Sequence, residues 1–410
     1  MDYALIPEGV KRCSFGKFVL WISAVSLLLL WGAAGALLCW IKGLNQTNMN
    51  DYFGFGIWIT LDLAVIALGA GAFFTGFLRY IIGIDELKNI VNFAVIIGFI
   101  CYSSALAILG LDVGQPLRGW FIFWHTNIHS MLAEVAFCIT CYFCVLCIEY
   151  LPLLLENRQL KKIPSLNLFG HHLHRIVAVF AATGTFLSFF HQGSLGGMYG
   201  VLYARPFAFR DGFFIWPWTF FLFILSAIAA GPSFTILITW ITQKITRKKL
   251  VKKNVIALLA KISGWLLLGY LFFKIADTIY WATVTAPARG FTFMDFYRNQ
   301  PYGLWLFILE IGICGVIPAI ILLTRRGREN NSWLILACFL NCTGVVINRF
   351  VFTVQTLALP VLPFDRFVTY FPSWQEWASS LAVIAYGIIV ISLSYRYLPV
   401  FPQEKELNPA

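Results

Sequence analysis

All six histidines of this 410-residue chain lie between positions 125 and 191. His125 and His129 occur in the run Trp124-His125-Thr126-Asn127-Ile128-His129. Read as one helix, positions i and i+4 share a face. His191 opens the run His191-Gln192-Gly193-Ser194-Leu195-Gly196, and three carboxyls (Asp62, Glu134 and Glu149) sit within apolar surroundings. Imidazole titrates near neutrality. Buried carboxyls hold protons more tightly, because desolvation disfavours their charge. A quinone needs such groups, since it is apolar, takes up two electrons and two protons, and wants a hydrogen-bond donor at each carbonyl. His125, His129, His191 and Asp62, with Glu134 deeper, make a candidate quinone cluster.

Further along, the ionisable residues are Lys274, Asp277, Glu310 and Arg349, with no histidine. Lys274 and Asp277 read as an i,i+3 ion pair. Glu134 and Glu310 also read as acids hydrogen-bonded between helices, and His171, His172 and His174 as interfacial residues. Cys138, Cys141, Cys144 and Cys147 stand three apart. That spacing resembles iron–sulfur ligation on paper. It lies mid-helix without a wrapping loop, so it reads as a stripe of soft packing residues. No metal site is expected.

These groups need elements to hold them. The chain is 60% hydrophobic and 12% charged, against about 25% charged in soluble domains. Such a chain has the bilayer as its solvent, and only helices or closed barrels satisfy their backbone there. The apolar runs are about 20 residues or longer and unbroken, a helical signature. Ten spans are expected: 17–42, 54–80, 89–110, 119–150, 174–192, 214–242, 255–282, 301–323, 332–355 and 374–398. The first is too long for a signal-peptide core. The net charge of +11 sits mostly in alternate short loops, so it reports topology rather than nucleic-acid binding. Lys11, Arg12, Lys17, Lys88, Arg158, Lys161, Lys162, the run 244–253, Arg325, Arg326 and Arg328 mark one side; Arg118, Arg205, Arg210, Arg289, Arg298 and Arg366 are thinly spread on the other. The positive-inside rule then predicts both termini in the cytoplasm. Outer loops 193–213, 283–300 and 356–373 are rich in Pro, aromatics and Arg, as a docking surface would be.

A repeat is visible. Trp58, Ala67, Ala70, Gly71, Phe74 and Thr75 recur as Trp218, Ala227, Ala230, Gly231, Phe234 and Thr235, each 160 residues on. Thr183-Gly184 and Thr343-Gly344 share that offset, and Glu134 with Cys138 recurs as Glu310 with Cys314. The expected fold is an all-α membrane protein with two parallel-repeat four-helix bundles, spans two to five and six to nine, plus one helix at each end. The boundaries are 1–53, 54–192 (quinone-binding), 193–355 and 356–410.

The run Phe189-Phe190-His191-Gln192-Gly193-Ser194-Leu195-Gly196 resembles the His-Gln-x-Ser-Leu-Gly signature of the NrfD / polysulfide reductase membrane-subunit family. Cys138-Ile139-Thr140-Cys141-Tyr142, then Ile148-Glu149-Tyr150-Leu151-Pro152, and Trp305, Glu310, Ile311, Gly312 and Pro318 are similar to it too. The likeness covers nearly the whole chain. Among the branches it looks most like the large quinone-interacting subunits of Qrc, Hmc, Dsr and alternative complex III assemblies, and nearest to the Qrc type, a menaquinone reductase complex. The resemblance implies a subunit of the bacterial inner membrane that carries no haem or cluster and works only within its complex. It implies menaquinone near the outer face of the first bundle, touched by His125, His129, His191, Gln192, Asp62 and Trp124. It also implies a periplasmic iron–sulfur subunit on the outer loops, with molybdopterin-like and multihaem cytochrome c subunits beyond. Electrons would enter from the periplasm. Protons drawn from the cytoplasm would pass by Glu134, Glu149, Glu310, Lys274 or Asp277. Two rivals remain: a b-type cytochrome, with His129 and His191 as axial ligands, and a secondary transporter.

Overall fold

The computed structural model describes residues 2–213, 216–298, 302–360 and 366–408. Among these, ten helices are long and apolar enough to cross a bilayer. They are α1 (Phe15–Lys42), α2 (Ile57–Tyr80), α3 (Val91–Asp112), α4 (Met131–Leu155), α5 (Pro164–Gly200), α6 (Trp218–Thr246), α7 (Lys253–Arg289), α8 (Trp305–Leu323), α9 (Asn331–Gln355) and α10 (Trp374–Tyr397). Helices dominate because each one satisfies its own backbone, which hydrocarbon cannot do. An even number of crossings leaves both ends on one side, called here the terminal face. Arg12 there pairs with Glu404, and Arg396 with Asp2.

Helices α2 to α5 form a closed ring, with α2 against α3 and α5, and α4 against α3 and α5. Helices α6 to α9 form a second ring in the same cyclic order, while α1 packs along α10. The rings meet where α2 crosses α6. A Cβ built on Gly231 would collide with the Gly71 nitrogen, and one on Gly71 would lie 2.5 Å from the Gly231 oxygen. Small residues permit such backbone approach. These two glycines are also the pair at offset 160, and a two-fold relation between the rings would bring equivalent residues together in this way.

Two expected spans are corrected. The fourth is not one helix over 119–150. A short helix, Phe121–Trp124, ends at His125, and α4 begins only at Met131. The run Thr126-Asn127 stops the first piece: Thr126 Oγ1 donates to the Ile122 carbonyl, and the Asn127 side chain accepts from the His129 N–H. Such local side-chain bonds compete with helix. The fifth span runs 164–200 rather than 174–192, so the first part of the expected outer loop 193–213 is helical. Its small residues pack the far end of α5 against α6: Gly196 faces the Thr219 carbonyl and Gly200 faces Thr219 and Pro217. Positions 299–300 and 361–365 of the other two loops lie outside the described residues.

The second ring departs from regular α-helix at Trp281–Thr285, Ile308–Val316 and Val351–Gln355, which are π-helical. Such widened turns are rare and often mark functional positions. All three border one cavity of about 20 Å³ whose wall includes Arg210, Lys274, Glu310 and Gln355. Its size matches about one water.

Candidate functional site

The first ring holds buried polar side chains in the half near the far face. Asp62 sits five residues into α2, about 7 Å below its far end, and is 1% exposed with Oδ1 unpartnered among the described residues. His191 of α5 is fully buried, and neither ring nitrogen has a hydrogen-bond partner among them. Its ring lies beside Tyr102 of α3, with centroids 5.7 Å apart. The Tyr102 hydroxyl shares a 2.8 Å hydrogen bond with Ser188. Gln192 Nε2 donates to the Ile66 carbonyl at 3.0 Å, which ties α5 to α2. The hydroxyls of Tyr142 and Tyr199 are likewise buried without partners. Buried polar atoms are nearly always bonded, and an unsatisfied one costs about 1–3 kcal/mol. Such atoms keep a hydrogen-bonding capacity that the described residues leave unused.

From Tyr102 the polar groups continue toward the terminal face. Tyr142 stacks edge-on against Tyr102, with centroids 4.5 Å apart. Further down, Glu149 lines a cavity of about 30 Å³ with Tyr80, Asn92 and His174. His174 Nε2 lies 2.8 Å from Glu156 Oε1 at the surface. His171, His172 and His174 are all exposed near the start of α5.

The sequence cluster divides. His191, Gln192 and Asp62 are interior, whereas Trp124, His125 and His129 are exposed on the broken far-face segment. Because that segment is not a helix, His125 and His129 do not share a helix face as expected. His129 and His191, the pair a haem would need, lie in different environments, one exposed and one fully buried. Glu134 is half-buried in the first turn of α4, near the far face. Along the cysteine stripe, Cys141, Cys144 and Cys147 point outward instead of packing, and all ten cysteines are free thiols. Among the described residues no group of three or more His, Cys, Asp or Glu is placed to hold a metal ion.

The second ring has a polar interior bonded mostly within itself, with Arg349 Nε left unpartnered among the described residues. Lys274 and Asp277 do not pair with each other. Asp277 accepts from Arg210 Nε at 3.0 Å, while Lys274 Nζ lies 3.9 Å from Glu310 Oε1. On one helix, side chains three apart diverge when a neighbouring element offers each a better partner, and here both have one. Glu310 Oε1 also accepts from Asn348 at 2.8 Å and Tyr270 at 3.4 Å, so it is hydrogen-bonded between helices. Arg349, fully buried, donates to Asn348 and Ser226 and stacks 3.6 Å over Phe223.

Sequence reading missed Tyr102, Ser188, Tyr142 and Tyr199. Their signal is weak, because a Tyr or Ser in an apolar span looks like ordinary core. The triplet Tyr102-Ser103-Ser104 was the one cue, three polar residues in the apolar middle of α3. On the lipid side of α3, a cleft of about 530 Å³ runs between α1, α3 and α10, with Ala36, Trp40, Ser104 and Tyr386 among its walls.

The chain also has relatives among known proteins. A family described as polysulphide reductase, NrfD, matches residues 45–360. The chain is 54% identical over 409 residues to the menaquinone reductase integral membrane subunit of Nitratidesulfovibrio vulgaris, covering 100% of this chain and 98% of that one. It is 24% identical over 367 residues to a probable Ni/Fe-hydrogenase 2 b-type cytochrome subunit of Escherichia coli, covering 88% and 87%. It is 21% identical over 430 residues to a selenate reductase subunit of Mesobacillus selenatarsenatis, covering 95% and 96%. Ten spanning helices and a family match over most of the length agree: this chain is an integral membrane protein of the NrfD (polysulphide reductase) family.

Proposed function

We propose that the chain is the quinone-handling membrane subunit of a respiratory oxidoreductase complex and that its substrate is menaquinone, the quinone named for the 54%-identical relative. The observation that carries this is His191: fully buried, with two unpartnered ring nitrogens among the described residues, and next to Gln192, which bonds α2 at Ile66, one turn from Asp62. A quinone bound there takes up two electrons and two protons on becoming the quinol. His191 offers an N–H to one carbonyl in its neutral form. Protonated Asp62 and the Tyr199 hydroxyl, both buried and unpartnered among the described residues, are further candidate donors. The cleft between α1, α3 and α10 gives an apolar tail a wall to lie along.

In this reading the terminal face is cytoplasmic, as its Lys and Arg argue, and the membrane is a bacterial inner membrane. Electrons come from an iron–sulfur subunit docked on the far, periplasmic face, with molybdopterin-like and multihaem cytochrome c subunits beyond it. Trp124, His125 and His129, exposed there, stand at the junction with that partner. Protons rise from His174 and Glu156 through Glu149 and Tyr142 to the quinone, so the reaction moves charge across the membrane. Glu134, and in the second ring Glu310, Lys274 and Asp277, are the further candidates for proton transfer.

The test is quinone binding by the purified complex, measured by titration with a short-chain menaquinone analogue. His191→Gln should weaken binding at least tenfold, while His125→Ala and His129→Ala change it less than threefold. Equal losses at all three, or none at His191, would overturn the surroundings of His191 as the binding site.

A further inference from the structure

At the terminal face, α6, α7 and α9 part to leave a crevice of about 900 Å³. Its lower walls are apolar: Ile236 and Trp240 from α6, Ile256 from α7, and Leu334 and Ile335 from α9. Its mouth is basic. Lys244, Lys248, Lys249, Lys252, Lys253 and Arg328 all border it.

The charges there are unequally satisfied. Lys248 bonds Glu404, and Lys252 pairs with Glu406. Arg328 donates to the Leu322 and Leu323 carbonyls, closing the end of α8. Glu329, the acid on the rim, is taken by Arg325. Among the described residues, Lys244, Lys249 and Lys253 have no carboxylate partner. Lys244 instead lies 5.7 Å from the Trp240 ring, whose indole N–H is itself unpartnered among the described residues. Three ammonium groups without a counter-charge therefore stand over an apolar slot at the level where a lipid headgroup meets its chains. Basic pockets of this kind between spanning helices suit phosphate headgroups.

We propose that this crevice binds cardiolipin. Two phosphodiesters on one headgroup answer two separate sources of charge, Lys244 at the end of α6 and Lys249 with Lys253 at the turn into α7. The acyl chains run down the Ile236, Trp240, Ile256, Leu334 and Ile335 walls and seal α6 against α9. The assignment is independent of the quinone site, which lies in the other ring.

The experiment is native mass spectrometry of the purified complex, with cardiolipin and phosphatidylglycerol titrated separately into delipidated samples. Wild type should retain about one cardiolipin per chain and bind it more than tenfold tighter than phosphatidylglycerol. Lysines near an anionic headgroup contribute about fivefold each. The triple variant K244Q/K249Q/K253Q should therefore bind about 100-fold more weakly. A control that removes the same charge elsewhere on that face, K88Q/K161Q/K162Q, should bind like wild type. Equal affinity for phosphatidylglycerol, full retention by the triple variant, or equal loss in the control would each overturn the proposal.

Discussion

The pairing inside the second ring has a measurable energy. Lys274 and Glu310 are both 5% exposed and their charged atoms lie 3.9 Å apart. At an effective dielectric of 20, two unit charges at that distance attract by about 4 kcal/mol. Breaking one partner of a buried pair typically costs about 3–5 kcal/mol, because the other charge is stranded. Glu310→Gln removes the charge but leaves an oxygen that can still accept from Asn348. In wild type it should therefore destabilise the chain by about 3–4 kcal/mol. In a Lys274→Met background the same change should cost at least about 2 kcal/mol less. The assay is equilibrium unfolding in mixed micelles with increasing denaturing detergent, run on the four members of the cycle. A parallel cycle of Lys274→Met with Asp277→Asn should show little coupling, since Asp277 bonds Arg210. A Lys274–Glu310 coupling below about 0.5 kcal/mol, the noise of additive sites, would refute the pairing. So would a larger value for Lys274 with Asp277.

Three further outcomes follow from the same reasoning. Gly231→Ala should destabilise by about 1–3 kcal/mol, since its Cβ meets α2 backbone and overpacking has that cost; Gly269→Ala, with nothing within 4 Å, should be neutral or better in the same unfolding assay. Glu149→Gln should cut proton uptake on the terminal side of oriented proteoliposomes at least tenfold while quinone binding persists; the same test on Glu134→Gln shows whether a proton passes there. Burial works against ionised Glu404, yet Arg12 and Lys248 hold its carboxyl below the usual range. A depressed carboxyl stabilises the fold above its unfolded-state value and loses that contribution as pH falls through the folded one. The loss of stability as acid protonates this carboxyl should thus be shallower in Glu404→Gln, read by the change in melting temperature with pH.

The bilayer as solvent, the number of helices and the common face of the two ends were all legible in the residues alone. They follow from hydrocarbon's intolerance of unpaired backbone and from where Lys and Arg fall, and both are local properties. That His191, Gln192 and Asp62 are polar groups inside apolar spans was legible too, and the structure buries all three; whether they meet a quinone is the proposal. Partners were not legible, and they came from the packing of distant helices. Lys274 and Asp277 look like a pair along one helix, but Arg210 and Glu310 arrive from other segments and take one each. His125 and His129 look like one helix face, but the hydrogen bonds of Thr126 and Asn127 end the helix between the two. Tyr142 and Ser188 gain meaning only when α3, α4 and α5 set them against Tyr102, the ring beside His191. Polarity can be read residue by residue, whereas what each polar group faces depends on helices brought together from distant parts of the chain.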